Sequence, residues 1–123
     1  MPGSPAACIV VAVKPNTSVH ATALDLDPQL VAPDQVVSGQ PRTGIHALTE
    51  FGGLEVGVWE MTPGVMSDVE SAEVFVVLSG SATVAFADTG EAIHVQAGDV
   101  MRLAAGARTV WSVTETLRKV YLA

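Results

Sequence analysis

Short apolar runs separated by regularly spaced turn residues limit the fold of this chain more than any other feature. From residue 45 onward, turns rich in Gly, Asp and Ser recur about every 8–12 residues, the spacing expected of a β-sandwich or β-barrel. Valine and alanine dominate the runs between the turns, and valine favours strands. No long segment shows the period of an amphipathic helix. The pattern therefore predicts an all-β protein with little helix.

Ten short strands are expected, several of them joined by tight turns. Ser79-Gly80-Ser81 and Asp88-Thr89-Gly90 supply the residues that hairpin turns need. Residues 24–44 contain three of the seven prolines and no sustained period, which predicts an irregular lead-in. The expected strands are Cys8–Val13, Ser18–Ala23, His46–Glu50, Leu54–Met61, Glu73–Leu78, Ala82–Ala87, Glu91–Val95, Val100–Leu103, Thr109–Val113 and Arg118–Leu122.

The length of 123 residues suits one structural domain. Residues 1–37 are predicted to hold N-terminal strands and the lead-in, and residues 38–123 a barrel. Many short antiparallel strands leave edges that must be covered, and a double-sheet jelly roll covers most of them. A homodimer formed through the apolar segment Ile9–Val13 would cover another edge.

Charge and cysteine content exclude several classes of function. The formal net charge is −7 and the six basic residues are scattered, so no surface suits a nucleic-acid backbone. Cys8 is the single cysteine, which excludes an intramolecular disulfide and a cysteine-based zinc site, and fits a reducing cytoplasm. The apolar run around Cys8 has no preceding basic residue and is predicted to be a strand rather than a signal peptide. No run approaches the length of a membrane-spanning helix.

Two glycine-bounded segments and a C-terminal signature occur together. Glu73–Gly80 has the spacing E-x6-G, and Gly98–Thr109 has G-x5-A-x-G-x2-T. The accompanying pieces are Gly57-Val-Trp-Glu60, Thr62-Pro-Gly64, Gly98-Asp99, Ala105-Gly106 and W-x-V-x-E-x-x-RK-x-Y from Trp111 to Tyr121. Over about residues 38–123, this combination resembles the cupin superfamily, most closely its small ureidoglycine aminohydrolase and ethanolamine-utilisation-like members. The resemblance implies a single-domain cupin jelly-roll β-barrel.

The resemblance also implies a metal position, and there the sequence departs from the pattern. A typical cupin site uses three imidazoles and one carboxylate. Of these, the chain keeps the carboxylate, Glu73, and has Thr109 in place of the third histidine. The first two histidines fall on Ser67 and Val69, or on Met66 and Asp68, depending on the alignment. We therefore expect no metal and no other cofactor at this position.

The three histidines of the chain lie far from those positions. His20, His46 and His94 show no His-x-His or His-x-x-x-His spacing, so each is read as an isolated surface or core residue. Because His94 alternates with Ile93 and Val95, it lies on the opposite face of its strand from both. Whether that face lines the barrel, so that His94 rebuilds a metal site, is left open.

Glu73 is the candidate catalytic residue. The two-residue period of a strand places Glu73 on one face with Phe75, and the resemblance points that face into the barrel. A carboxylate in an apolar cavity suits general acid or base work, and Phe75 would line the same pocket. The alternative is a carboxylate at the start of a strand that is hydrogen-bonded, paired or solvated. Asp68 and Glu70 are expected to lie in a loop as solvated charges.

Four further residues are predicted to bind substrate. Thr109 and Trp111 share a strand face, so Trp111 offers a flat apolar wall near the cavity. Trp59 is assigned the core or the cavity rim, and both tryptophans could equally fill the core. Arg102 stands among apolar residues, where it would need a carboxylate partner if buried, but would be free if it faced solvent.

These features favour a cupin barrel that binds a small polar or carboxylate-bearing molecule in a metal-free pocket. Whether the chain is an enzyme is left open. One alternative is a metal-dependent enzyme resembling ureidoglycine aminohydrolase. A second is a structural or assembly protein with a filled barrel, because so widely reused a fold does not choose among functions.

Overall fold

The computed structural model describes residues 11–123 of the chain. Within them, no helix is long and apolar enough to cross a membrane. A single 3₁₀ turn, Pro33–Gln35, is the one helical element of this part. The strands are β1 (Asp27–Gln29), β2 (Val36–Ser38), β3 (Thr43–Phe51), β4 (Leu54–Met61), β5 (Gly64–Val69), β6 (Glu73–Phe86), β7 (Ala92–Gln96), β8 (Val100–Leu103) and β9 (Arg108–Leu122).

Two long antiparallel strands, β6 and β9, form the spine of the molecule. They have 14 and 15 residues and pair along most of their length. The C-terminal part of β9 pairs with β4, whereas its N-terminal part pairs with β5. The start of β6 pairs with β8 and its end with β7. Because each long strand changes neighbours halfway, the sheet curls into a single-domain jelly roll, which confirms the predicted fold class.

Strand alternation places the core inside the curl. On β6, Phe75, Val77 and Val84 are almost completely buried, while Val74, which precedes Phe75 and faces the other side of the sheet, is exposed. This is the two-residue period that a sheet with one solvated face requires. The buried cluster contains Met61, Met66, Phe75, Val77, Ala82, Val84, Val95, Met101, Leu103, Trp111, Val113, Leu117 and Tyr121.

The predicted hairpin at Ser79-Gly80-Ser81 is wrong, because β6 continues through it. The pairing between β6 and β9 shifts register between Val77 and Ala82, and Gly80 adopts a φ of 90°. A glycine with positive φ inside a strand is typical of a β-bulge, which bends the strand without ending it. The two strands predicted within residues 109–122 are likewise one strand, β9.

The prediction for the N-terminal part is also corrected. Residues 18–23 form no strand but a turn, in which the Ala23 amide donates to the His20 carbonyl over 3.1 Å. Of the strand predicted over Cys8–Val13, residues 8–10 lie outside the described residues and residues 11–13 form no strand. The Val13 amide nevertheless donates to the Leu48 carbonyl over 3.1 Å, so this segment runs along β3.

Three strands were missed because they carry no clear apolar period. β1 and β2 lie in the proline-rich lead-in, and each pairs over three positions or fewer, with β3 and β5 respectively. β5 was read as a loop because it combines Gly64 with the polar residues Ser67 and Asp68. Because Asp68 lies on the inner face of β5, this face is not uniformly apolar and the pattern does not reveal the strand.

We predict that Gly80→Ala is strongly destabilising. A Cβ atom at Gly80 would overlap the backbone carbonyl of Thr116, in addition to the strain of a positive φ. The free energy of unfolding should fall by about 3 kcal/mol, measured by urea denaturation. Gly90 is the control, because its φ is +74° but nothing lies within 4 Å of an added Cβ. Gly90→Ala should cost about 1 kcal/mol, and equal losses for the two variants would contradict the bulge geometry.

Candidate functional site

A cavity of about 310 Å³ lies inside the curled sheet. Its lining comes from the inner faces of β3, β4, β5, β6 and β9, with Gln29 from β1 and the loop between β5 and β6. Apolar and aromatic side chains form most of the wall. Four charged side chains join them, namely the carboxylates of Asp68, Glu70 and Glu73 and the ammonium of Lys119.

Lys119 and Glu73 form a buried ion pair at the centre of this lining. The Lys119 Nζ donates to Glu73 Oε2 over 2.6 Å, and the two side chains are 6% and 13% exposed. The same ammonium lies 4.7 Å from the ring centroid of Trp59, 4.2 Å from that of Phe75 and 4.8 Å from that of Trp111. One carboxylate and three aromatic rings therefore surround a single cation.

Strand register explains why a lysine points inward. On β9, Leu117, Lys119 and Tyr121 are all buried, whereas Arg118 between them is only partly so. Lys119 pairs in register with Trp59 on β4 and with Val77 on β6. The alternation that buries apolar residues elsewhere on β9 thus buries a charge at this position.

Glu70 is held by two side-chain donors from β9. Thr109 Oγ1 donates to Glu70 Oε2 over 2.5 Å and Trp111 Nε1 donates to the same oxygen over 2.9 Å. The Glu70 residue is 9% exposed, and its amide and carbonyl bond to Ala107 and Gly106. The expectation that Glu70 is a solvated loop charge is wrong, because the turn before β9 fixes its backbone and turns its side chain into the barrel.

Asp68 lies on β5 opposite Thr109 and faces the same cavity. Burial raises the pKa of the Asp68 carboxyl, and the nearby charge of Glu70 raises it further. The Val69 amide donates to Asp68 Oδ1 over 2.8 Å and Lys119 is a cation nearby, and both act in the opposite direction. The pKa of Asp68 is therefore raised above its ordinary value on balance.

Aromatic rings form one wall of the cavity. The ring centroids of Trp59 and Trp111 are 5.8 Å apart at an interplanar angle of 58°, and those of Phe75 and Trp111 are 5.6 Å apart at 43°. Such tilted pairs are favourable arrangements of aromatic quadrupoles. Trp59 Nε1 donates to Gln29 Oε1 over 3.3 Å, which links this wall to β1.

Tyr121 lines the cavity and also contacts the start of β4. Its hydroxyl donates to Glu55 Oε2 over 2.6 Å, and burial together with this bond raises the pKa of Tyr121. The ring passes directly over Gly57, where a Cβ atom would overlap the Tyr121 hydroxyl. The glycine of the Gly57-Val-Trp-Glu segment is thus required by close packing against Tyr121.

The EutQ-like cupin domain family matches residues 48–121, a range that includes nearly the whole of this cavity. The chain belongs to this cupin family. No curated protein matches the chain significantly.

Solved structures agree with the family. A protein of unknown function of the DUF861 family from Pseudomonas syringae pv. tomato is 27% identical, with a TM-score of 0.71, over 81% of this chain and 44% of that one. The chain thus spans less than half of the Pseudomonas protein. Ethanolamine utilization protein Q of Salmonella typhimurium is 22% identical, with a TM-score of 0.58, over 67% and 68% of the two chains. The EutQ protein of Clostridium difficile is 14% identical, with a TM-score of 0.64, over 85% and 83%.

The structure places five of the six residues singled out from the sequence around the cupin cavity. Glu73, Trp59 and Trp111 line it directly. Phe75 lies under the Lys119 ammonium, and Thr109 holds Glu70. The donors of Trp111 and Thr109 are both taken by Glu70, so Trp111 presents its ring, not its N–H, to the cavity.

Arg102 does not lie at this site. On β8, Met101 and Leu103 are buried, so the alternation turns Arg102 outward, where it pairs in register with the exposed Val74. Arg102 instead lines a separate outer groove of about 670 Å³, together with His94. His94 is exposed, and its Nε2 shares a 3.2 Å hydrogen bond with Ser81 Oγ, so it adds no ligand to the barrel.

Sequence reasoning missed Lys119, Glu70 and Asp68 as site residues. The signal for Lys119 was present, because the pattern Leu117-x-Lys119-x-Tyr121 puts a charge on the apolar face of a strand. No comparable signal exists for Glu70, since a loop has no period. Asp68 could have been found only with the strand assignment of β5, which the pattern did not support.

The residues at the cupin metal position do not fit the metal site of the general pattern. In one of the two alignments, the first two histidines of the cupin pattern correspond to Met66 and Asp68, whose side chains face inward. The metal position therefore holds a thioether and oxygen donors but no imidazole. Glu73 is bonded to Lys119, and Thr109 to Glu70. Across residues 11–123, no group of three or more His, Cys, Asp or Glu side chains could hold a metal ion.

We predict that Glu70→Ala destabilises the protein by about 3 kcal/mol, because it leaves the Thr109 hydroxyl and the Trp111 N–H buried without an acceptor. The measurement is the free energy of unfolding in urea, followed by tryptophan fluorescence. Glu70→Gln is the matched control, since its amide oxygen can still accept both bonds, and it should lose less than half as much. Equal losses would show that the charge, and not the acceptor, matters.

The raised pKa of Asp68 predicts a pH dependence with a defined sign. The wild type gains stability from this group below its ordinary pKa of 3.8 and loses it as the pH rises through the raised folded value. The unfolding free energy of the wild type minus that of Asp68→Asn should therefore decrease with rising pH across this window and then level off. Urea denaturation at a series of pH values measures the difference, and an increase with pH would contradict the assignment.

Proposed function

We propose that the barrel cavity is a metal-independent binding site for a small polar molecule. The observation that carries the proposal is the buried Lys119–Glu73 pair, set among aromatic rings beside an internal cavity of about 310 Å³. Burying charges is costly, and a barrel that served only as a core would be as stable with apolar side chains there. The volume lies at the small end of ligand pockets, which range over about 300–1,000 Å³.

The lining favours a neutral or cationic ligand over a carboxylate. A carboxylate-bearing substrate was expected to bind Arg102, but that side chain lies outside the barrel. Inside it, three carboxylates face one ammonium, and that ammonium is already paired. Trp59 and Trp111 suit a ligand with a flat or apolar part, and the carboxylates suit hydrogen-bond donors on it.

Binding is proposed here without a committed reaction. Glu73 is the acceptor at the centre of the site, and its bond to Lys119 keeps it oriented. If the site transfers a proton, Asp68 is a candidate donor, since a carboxyl with a raised pKa serves as a general acid nearer neutral pH. One fold neighbour is an ethanolamine utilization protein by name and another is a EutQ protein, but identities of 22% and 14% carry the fold and not the activity.

A homodimer in the cytoplasm remains part of the proposal. The segment expected to form the dimer contact begins outside the described residues, and residues 11–13 lie along β3 of their own chain. Light scattering on the purified protein, compared with a variant lacking residues 1–10, would measure whether this segment holds two copies together.

Binding can be tested with a panel of three small compounds, propylammonium, acetamide and acetate, followed by isothermal calorimetry and thermal shift. We expect the cationic or the neutral compound to bind the wild type more tightly than acetate, and Glu73→Gln to weaken that binding at least about tenfold. Arg102→Gln is the control, because Arg102 lies outside the cavity, and it should bind like the wild type.

Two results would contradict this function. Stoichiometric iron, manganese or zinc that survives dialysis would favour a metal-dependent enzyme resembling ureidoglycine aminohydrolase. Failure of every compound to bind, in a protein that folds normally, would favour the structural or assembly role of a filled barrel.

A further inference from the structure

The surroundings of the Lys119 ammonium are those of a recognition site for an ammonium ion. Three ring centroids lie within 4.8 Å of Nζ, and the Glu73 carboxylate lies at 2.6 Å. The face of a neutral aromatic ring is the negative side of its quadrupole, so rings placed around a cation attract it, most strongly where water is excluded. Here the cation belongs to the protein itself, and its side chain is 6% exposed.

Glu73 is also the one residue of the general cupin metal pattern that the chain retains. In that pattern the carboxylate is held by a metal ion together with three imidazoles, none of which exists at the corresponding positions here. A carboxylate left buried without a cation would be strongly destabilising. The lysine amine satisfies the same electrostatic requirement without any imidazole.

We propose that Lys119 is the permanent cation of this barrel and takes the place beside Glu73 that a metal ion takes in cupins of the general pattern. The rings of Trp59, Phe75 and Trp111 form a site for an organic ammonium group, which Lys119 occupies from within the chain. This deepens the metal-independent site proposed above, but it does not require that any external ligand binds there.

A consequence is that the site selects ammonium over metal. The aromatic wall offers no lone-pair donor to a divalent cation, and the two remaining carboxylates are committed elsewhere or lie on another strand. Glu70 accepts from Thr109 and Trp111, and Asp68 accepts from the Val69 amide. Removing the lysine should therefore leave a vacancy that an alkylammonium ion fills better than a neutral molecule of equal size.

The test is chemical rescue of Lys119→Ala. This variant lacks the three methylenes and the ammonium that propylammonium supplies, whereas 1-propanol has the same number of heavy atoms and no charge. We expect Lys119→Ala to melt at a lower temperature than the wild type. Propylammonium chloride should raise its Tm by about 4 °C or more, and 1-propanol or sodium chloride at the same concentration should not. If the variant is insoluble, the yield of refolding with each additive replaces Tm as the readout.

The matched control is the double variant Lys119→Ala/Glu73→Gln, in which a neutral amide replaces the carboxylate that Lys119 pairs with. Its Tm should exceed that of Lys119→Ala alone, and propylammonium should have little effect on it. Equal rescue by 1-propanol, or equal rescue of the double variant, would overturn the proposal, since the side chain would then serve only to fill space.

A second measurement does not need the Lys119→Ala variant. The wild-type protein and the Glu73→Gln variant are each dialysed against zinc or manganese, and their bound metal is measured. We expect the wild type to bind no more metal than the variant. Stoichiometric uptake that is lost in Glu73→Gln would overturn the role of Lys119 as the resident cation. Rescue by propylammonium with no binding of the three-compound panel to the wild type would retain this role and reject the binding function.

Discussion

The buried pair of Lys119 and Glu73 is the interaction on which the arrangement of this barrel depends. Two charges taken out of water must be satisfied by each other and by their surroundings, and here three aromatic rings supply the rest of the shell around the ammonium. The identities of Trp59, Phe75 and Trp111 follow from this requirement, because an aliphatic residue would fill the same space without stabilising the cation. The buried carboxylate of Glu70 in turn fixes the orientation of Trp111.

Two long bent strands make this arrangement possible. β9 contributes Trp111, Lys119 and Tyr121 to one cavity, although the first and the last lie on different halves of the curled sheet. The bulge around Gly80 lets β6 follow the same bend, and Gly57 leaves room for the Tyr121 ring. The signature glycines of the chain thus serve the close approach of strands around the site, and the stability of the fold and the geometry of the cavity cannot be separated.

Much of the fold could be predicted, whereas only part of the site could. Regular turns and valine-rich runs indicated the jelly roll. The E-x6-G spacing identified Glu73, whereas Trp59 and Trp111 came from the other pieces of the cupin resemblance. The predicted hairpin at Gly80 was wrong because the same glycine conformation serves a turn or a bulge, and only the pairing with β9 distinguishes them. The strand β5 was missed because Asp68 on its inner face interrupts the apolar period. Arg102 was assigned to the substrate from its apolar neighbours, but alternation turned it to solvent.

The sequence by itself determined the all-β class, the cupin resemblance and the loss of the imidazole ligands, because all three depend on residue types and on spacings along one strand or one motif. Only the tertiary structure decided what replaces those ligands. Lys119 and Glu73 are far apart in the chain. Glu70 lies in the loop between β5 and β6, whereas its two donors lie on β9. These contacts therefore depend on how β4, β5, β6 and β9 align. Register between distant strands leaves no local pattern, so the sequence could mark Lys119 as a charge on an apolar strand face, but only the folded structure shows that its partner is Glu73.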